Sequence, residues 1–70
     1  MKKIVVLGAG ESGTGAAILA KAKGMEVFVS DMGEIAPMYQ ALLDQHHIAW
    51  EMGKHTPSLI LDADEVIKSP

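Results

Sequence analysis

Cysteine and arginine are both absent from this 70-residue sequence, and Trp, Tyr and Phe occur once each. Without cysteine there is neither a disulfide scaffold nor a thiolate metal site. Without arginine the basic side consists of lysine alone, six residues against nine acidic ones for a formal charge of −3. That balance argues against a reader of nucleic-acid backbones, whose affinity comes mainly from clustered Lys and Arg. Long apolar runs are missing too. Ile4 to Leu7 and Ala16 to Ala20 are far shorter than a bilayer span, and Lys2-Lys3 leads into no signal-peptide core. The chain is therefore expected in the cytoplasm, with no membrane and no nucleic-acid partner.

What is present is an aliphatic-core composition, 49% hydrophobic and 21% charged, which excludes a disordered tail. A length of 70 residues fits one domain or a piece of one. Ile4-Val5-Val6-Leu7 has no polar alternation and reads as a parallel strand buried on both faces. From Glu11 to Lys23 the small residues Gly13, Ala16, Ala17 and Ala20 recur at helical spacing, with Lys21 and Lys23 in the last turn and Gly24 as the stop. Glu26 to Ser30 is a second strand ending at Asp31, followed by a loop. Pro37 then opens a second helix whose apolar face is expected to be Met38, Ala41 and Leu42, fraying at His46-His47. A third strand is expected over Ile48 to Glu51, a short helix from Pro57 to Leu61, and a fourth strand over Glu65 to Lys68. The order βαβαβαβ predicts an α/β, Rossmann-like parallel sheet of strand order 3-2-1-4, the first two helices on one face and the third on the other. The fourth strand would be an uncovered edge, so residues 1–70 are expected to be the N-terminal piece of a larger multidomain protein.

Between the first strand and the first helix stands Gly8-Ala9-Gly10-Glu11-Ser12-Gly13, a G-x-G-x-x-G sequence, and Asp31 closes the next strand at about the 20-residue distance of the dinucleotide fingerprint. Gly8 suits the tight turn, Gly10 lets a phosphate approach the backbone, and Gly13 lets helix and strand pack closely. Free N–H groups at the helix start bind an anion without a cationic side chain, so an acidic domain can hold a diphosphate. Asp31 suits the hydroxyls of an adenosine ribose, of another ribose, or the N–H of a base.

Other polar residues point to ordinary structural roles. Adjacent His46 and His47 diverge by about 100° on a helix and lack metal-ligand spacing, so they and His55 are expected to be solvated, His55 alone standing near the crevice. Asp62, Asp64 and Glu65 are expected to solvate the turn before the last strand. Met38 is expected in the core, and Trp50 beside the third strand with its indole N–H in need of a partner. No catalytic or metal-ligating set is assigned within these residues.

Three stretches together carry a resemblance over the whole chain: Val5 to Gly13, Val29 to Met32, and Ala63-Asp64-Glu65-Val66-Ile67-Lys68-Ser69-Pro70. They are similar to the N-terminal domain of the Mur ligase family, most of all its D-glutamate-adding branch, in which the fourth strand runs into a Ser-Pro-Gly turn. The resemblance implies a domain that holds the UDP of UDP-N-acetylmuramoyl-L-alanine. The diphosphate would lie on the backbone of Glu11, Ser12 and Gly13 beside Gly8 and Gly10, the uracil and ribose near Asp31, Met32 and Gly33, and the loop after Ser69 would close over the phosphates. Some relatives carry a basic side chain where this sequence has Gly33, so a stacking contact there would pass to Met32 or Met52. The resemblance further implies an ATP- and Mg²⁺-dependent amide ligase of peptidoglycan synthesis, whose nucleotide is held by the rest of the same polypeptide, since no G-x-x-x-x-G-K-[ST] sequence occurs here. The alternative is an NAD-binding regulatory module of a potassium-transport or dehydrogenase-type protein.

Overall fold

Seven elements follow one another as β1 (Lys3–Leu7), α1 (Glu11–Ala22), β2 (Glu26–Asp31), α2 (Pro37–Gln45), β3 (Ala49–Met52), α3 (Pro57–Leu61) and β4 (Glu65–Lys68) in a computed structural model that describes residues 1–69. The strands form one sheet ordered β3-β2-β1-β4, all pairs parallel. This is the α/β sheet that the sequence predicts.

Side-chain alternation along the strands divides the core. Ile4 pairs with Val27 and Val6 with Val29 and Ile67, which puts all five on one face. There they join Ala9, Ala17, Ala20, Ile35, Leu43 and Ile48 in a single cluster. Val5, also fully buried, points the other way, in register with Phe28 and through it Ala49. Leu59 of α3 borders Phe28 and Ala49 on that second face. The middle strands are apolar at their centres, Ile4 to Leu7 and Val27 to Val29, because helices cover both sides.

In α1 the buried residues are Gly13, Thr14, Ala17 and Ala20, so small side chains bring its backbone close to β1 and β2. The helix ends as expected. Gly24 takes a φ of +86°, and the Met25 N–H reaches back to the Ala20 carbonyl while the Gly24 N–H reaches Lys21, the paired bonds of a Schellman motif.

In α2 the expected face needs correction. Met38 is 64% exposed, and the line facing the core is buried Ile35, partly buried Tyr39 and buried Leu43. These stand four apart, starting one residue before the N-cap Ala36, so Ile35 sets the rotation of the helix before its first turn. The end of α2 repeats the Schellman pattern, with Ile48 N–H to Leu43 and His47 N–H to Asp44. Here His47 takes the left-handed position at φ +58°. Ile48 is buried but precedes β3, which starts at Ala49. Trp50 donates its indole N–H to Asp44 at 2.8 Å.

At the amino end of the sheet, Lys2 pairs with Glu65, and Lys3 with Glu26 and Asp62. The Asp64 carboxylate accepts the Lys3 backbone N–H at 2.7 Å. These contacts raise both lysines and lower the Asp62 carboxyl, through hydrogen bonds first and charge second. The carboxylates before β4 thus tie the strand ends together at the opposite end of the sheet from the glycine loop that follows β1.

Candidate functional site

Gly8 leaves β1 with a φ of +98°, a conformation costly for any residue with a Cβ. Its N–H donates to the Ser30 carbonyl at 2.8 Å, which extends the β1–β2 pairing into the loop. Gly13 is bare for another reason: a Cβ there would stand 1.8 Å from the Gly8 carbonyl oxygen and 3.3 Å from Ser69 Cβ. Gly10 differs from both. Its φ of −80° is ordinary, and a Cβ would meet no protein atom within 4 Å. Nothing inside the described residues requires glycine at this position.

Gly10 is also the N-cap of α1, and no side chain caps the helix. The first helical bond runs from the Thr14 N–H to the Gly10 carbonyl at 2.9 Å. The amides of Glu11, Ser12 and Gly13 are the orphan donors of the first turn, at the positive end of the helix dipole. A cleft lined by Ser12, Gly13, Ala16, Ile67, Lys68 and Ser69 opens beside them. Ser69 is held there by its N–H to the Leu7 carbonyl at 2.8 Å. Pro70, the next residue of the expected turn, lies outside the described residues.

Asp31 joins this loop to the next one. Its Oδ2 accepts the Ala9 N–H at 2.8 Å and its Oδ1 accepts the Gly33 N–H at 2.9 Å. A carboxylate offers about four acceptor directions, so two remain for a ligand. Of the residues singled out in the sequence, Ser12, Gly13 and Ser69 line this cleft, Gly8, Gly10 and Glu11 belong to the loop and first turn that lead into it, and Asp31 is hydrogen-bonded to that loop at Ala9. Met32, 63% exposed, and Gly33 extend the surface beyond β2.

Residues 3–70 match the family model of the MurD N-terminal domain. The chain belongs to that family. Over 70 residues this MurD N-terminal domain is 71% identical to the UDP-N-acetylmuramoylalanine--D-glutamate ligase of Bacteroides thetaiotaomicron, all of this chain and 16% of that protein. It is 63% identical over 67 residues to the enzyme of the same name from Porphyromonas gingivalis, 96% of this chain and 15% of that protein. With that of Christiangramia forsetii it shares 58% over 69 residues, 99% of this chain and 16% of that protein. The chain thus spans about 16% of the length of such curated relatives.

One constellation of this MurD N-terminal domain was not foreseen as such. Ser30, fully buried at the end of β2, has its Oγ 2.8 Å from Glu51 Oε2, 3.2 Å from the Lys54 carbonyl and 2.6 Å from His55 Nδ1. Glu51 also accepts the N–H of Thr56 at 2.8 Å and its hydroxyl. Burial alone would raise the Glu51 carboxyl, but the Thr56 and Ser30 hydrogen bonds and the Lys54 charge outweigh it and hold the carboxyl below its ordinary value. Glu51, His55 and Thr56 are near one another in sequence, but Ser30 stands 21 residues before Glu51. Only the parallel β2–β3 register, Ser30 against Glu51, brings them together. His55, expected to be solvated, is instead half-buried and bonded. Ser30 lies between the carboxylate and the imidazole, which is not the order of a hydrolytic triad.

There is no P-loop sequence, and among the described residues no three His, Cys, Asp or Glu side chains group to hold a metal ion. No helix among the described residues is long and apolar enough to cross a membrane.

Proposed function

We propose that this domain holds the UDP moiety of UDP-N-acetylmuramoyl-L-alanine for a cytoplasmic ATP-dependent ligase that adds D-glutamate during peptidoglycan precursor synthesis. The observation that carries the reading is Gly10. It is bare without internal need, and it stands at the uncapped start of α1 where a phosphate must approach the backbone. Membership of the MurD N-terminal domain family supports a UDP-linked ligand over a dinucleotide.

In this reading the N–H groups of Glu11, Ser12 and Gly13 receive the diphosphate, and the loop after Ser69 covers it. The free acceptor directions of Asp31 take an N–H of the uracil or a ribose hydroxyl, and Met32 and Met52 offer the base an apolar edge in place of a basic side chain at Gly33. The domain holds and orients its ligand. The ATP, the Mg²⁺ and the acyl transfer belong to the rest of the same polypeptide.

Calorimetric titration of the full-length protein with UDP-N-acetylmuramoyl-L-alanine and separately with NAD tests this. Binding of the UDP precursor with no heat from NAD is expected. Tight NAD binding with no response to the precursor would replace the ligase reading by an NAD-binding regulatory module.

A further inference from the structure

Ser30 Oγ carries one proton and has three polar neighbours. Two of them, the ionised Glu51 carboxylate and the Lys54 carbonyl, only accept. The hydroxyl proton therefore goes to Glu51, the nearer at 2.8 Å, with the Lys54 oxygen at 3.2 Å. The remaining contact, 2.6 Å to His55 Nδ1, then needs its proton from the imidazole. His55 carries a proton on Nδ1 and donates to Ser30, and in the neutral ring Nε2 is the bare nitrogen.

This bond lies at the end of a continuous chain of contacts. Segment 53–56 is held to β2 by His55 on Ser30 and to β3 by Thr56 on Glu51. It is held to the loop after β2 by the Gly53 N–H on the Gly33 carbonyl at 2.9 Å. The Gly33 N–H in turn bonds Asp31, and Asp31 bonds Ala9 of the glycine loop. The Ser30 carbonyl, on the residue that His55 grips, receives the Gly8 N–H. Segment 53–56 is thus connected to the anion-binding loop by two routes, one through Ser30 and one through Gly33 and Asp31.

We infer that His55 is a positioning residue: by donating from Nδ1 to Ser30 it locks segment 53–56 onto the ends of β2 and β3 and so fixes Asp31 and the glycine loop for ligand. Its effect on affinity rests on the proposed UDP reading, whereas its effect on the loop does not.

The full-length protein carrying His55→Ala, His55→Asn or His55→Gln tests it, because an Asn amide nitrogen takes the place of Nδ1 and a Gln amide that of Nε2. Amide exchange at Ala9 and Gly33 is expected to quicken on the order of tenfold in His55→Ala and His55→Gln and to return to the wild-type rate in His55→Asn. Nitrogen NMR of histidine-labelled protein is expected to show His55 protonated on Nδ1. Ser30→Ala, which removes the same bond from the other end, is expected to act as His55→Ala does. The dissociation constant for UDP-N-acetylmuramoyl-L-alanine is expected to rise on the order of tenfold in the same variants and to recover in His55→Asn. Rescue by Gln and not Asn, an Nε2-protonated neutral ring, or unchanged exchange in all variants would overturn the inference. A wild-type protein that ignores the UDP precursor would overturn the functional reading alone, leaving exchange and tautomer to decide the role of His55.

Discussion

Asp31 accepts the backbone N–H of Ala9 at 2.8 Å, so the carboxylate closing β2 also anchors the glycine loop that follows β1. Ala9 is buried, and the bond from its N–H to Asp31 is part-buried. One side chain therefore serves the fold and, through its free acceptor directions, the proposed ligand.

Asp31→Ala is accordingly expected to cost about 1–3 kcal/mol in stability, the penalty of a donor left unsatisfied. It is expected to weaken binding of the UDP precursor by about the same amount. Asp31→Asn keeps one carbonyl acceptor and should retain more of the stability than of the affinity. Chemical unfolding and calorimetric titration of the full-length variants measure the two losses separately.

Gly13→Ala is expected to damage the fold itself. Its Cβ would stand 1.8 Å from the Gly8 carbonyl oxygen, so β1, the glycine loop or α1 must shift, at a cost of at least about 1–3 kcal/mol by comparison with overpacked cores. A lowered melting temperature is expected whether or not ligand is present.

The end of α2 offers a stabilising change. His47 occupies the left-handed position of a Schellman motif at φ +58°, where glycine is the usual residue. His47→Gly should relieve about 1 kcal/mol of backbone strain, read as a higher melting temperature. Among the described residues the exposed imidazole at this position makes no hydrogen bond that the change would remove.

Glu51 gives the acid limb of stability a definite sign. Its folded-state carboxyl lies below the ordinary 4.5, so the native state binds fewer protons there than the unfolded chain. Its contribution is complete above about that value and is lost as pH falls through the lowered folded value. Glu51→Gln should flatten the fall in stability below pH 4.5. Urea unfolding at a series of pH values compares the slopes, and equal slopes would deny Glu51 this role.

How far these features could be read in advance depends on whether their cause is local. The unbroken apolar run Ile4 to Leu7, the glycine spacing and Gly24 are signals within a few residues, and the sheet order and the end of α1 followed from them. The rotation of α2 is not legible from the apolar spacing that starts at Met38 inside the helix, because Ile35 outside it sets the line that faces the core. His47 gave no sign of a left-handed residue, since histidine lacks the conformational freedom that marks glycine. The glycine spacing groups Gly8, Gly10 and Gly13, but only the structure separates Gly13, excluded by backbone, from Gly10, which faces open space. Ser30, Glu51 and His55 meet through a parallel register between β2 and β3, which no local pattern states.

Gly10→Val tests the central claim most directly, by calorimetric titration of the full-length protein with UDP-N-acetylmuramoyl-L-alanine beside wild type and Lys54→Ala. The valine side chain meets no protein atom near its Cβ but occupies the space where a phosphate must approach the backbone. The expected result is a Gly10→Val protein with a melting temperature near that of wild type and no measurable binding, and a Lys54→Ala protein that still binds. Unchanged affinity in Gly10→Val, with binding abolished in Lys54→Ala, would contradict an anion site built from the start of α1.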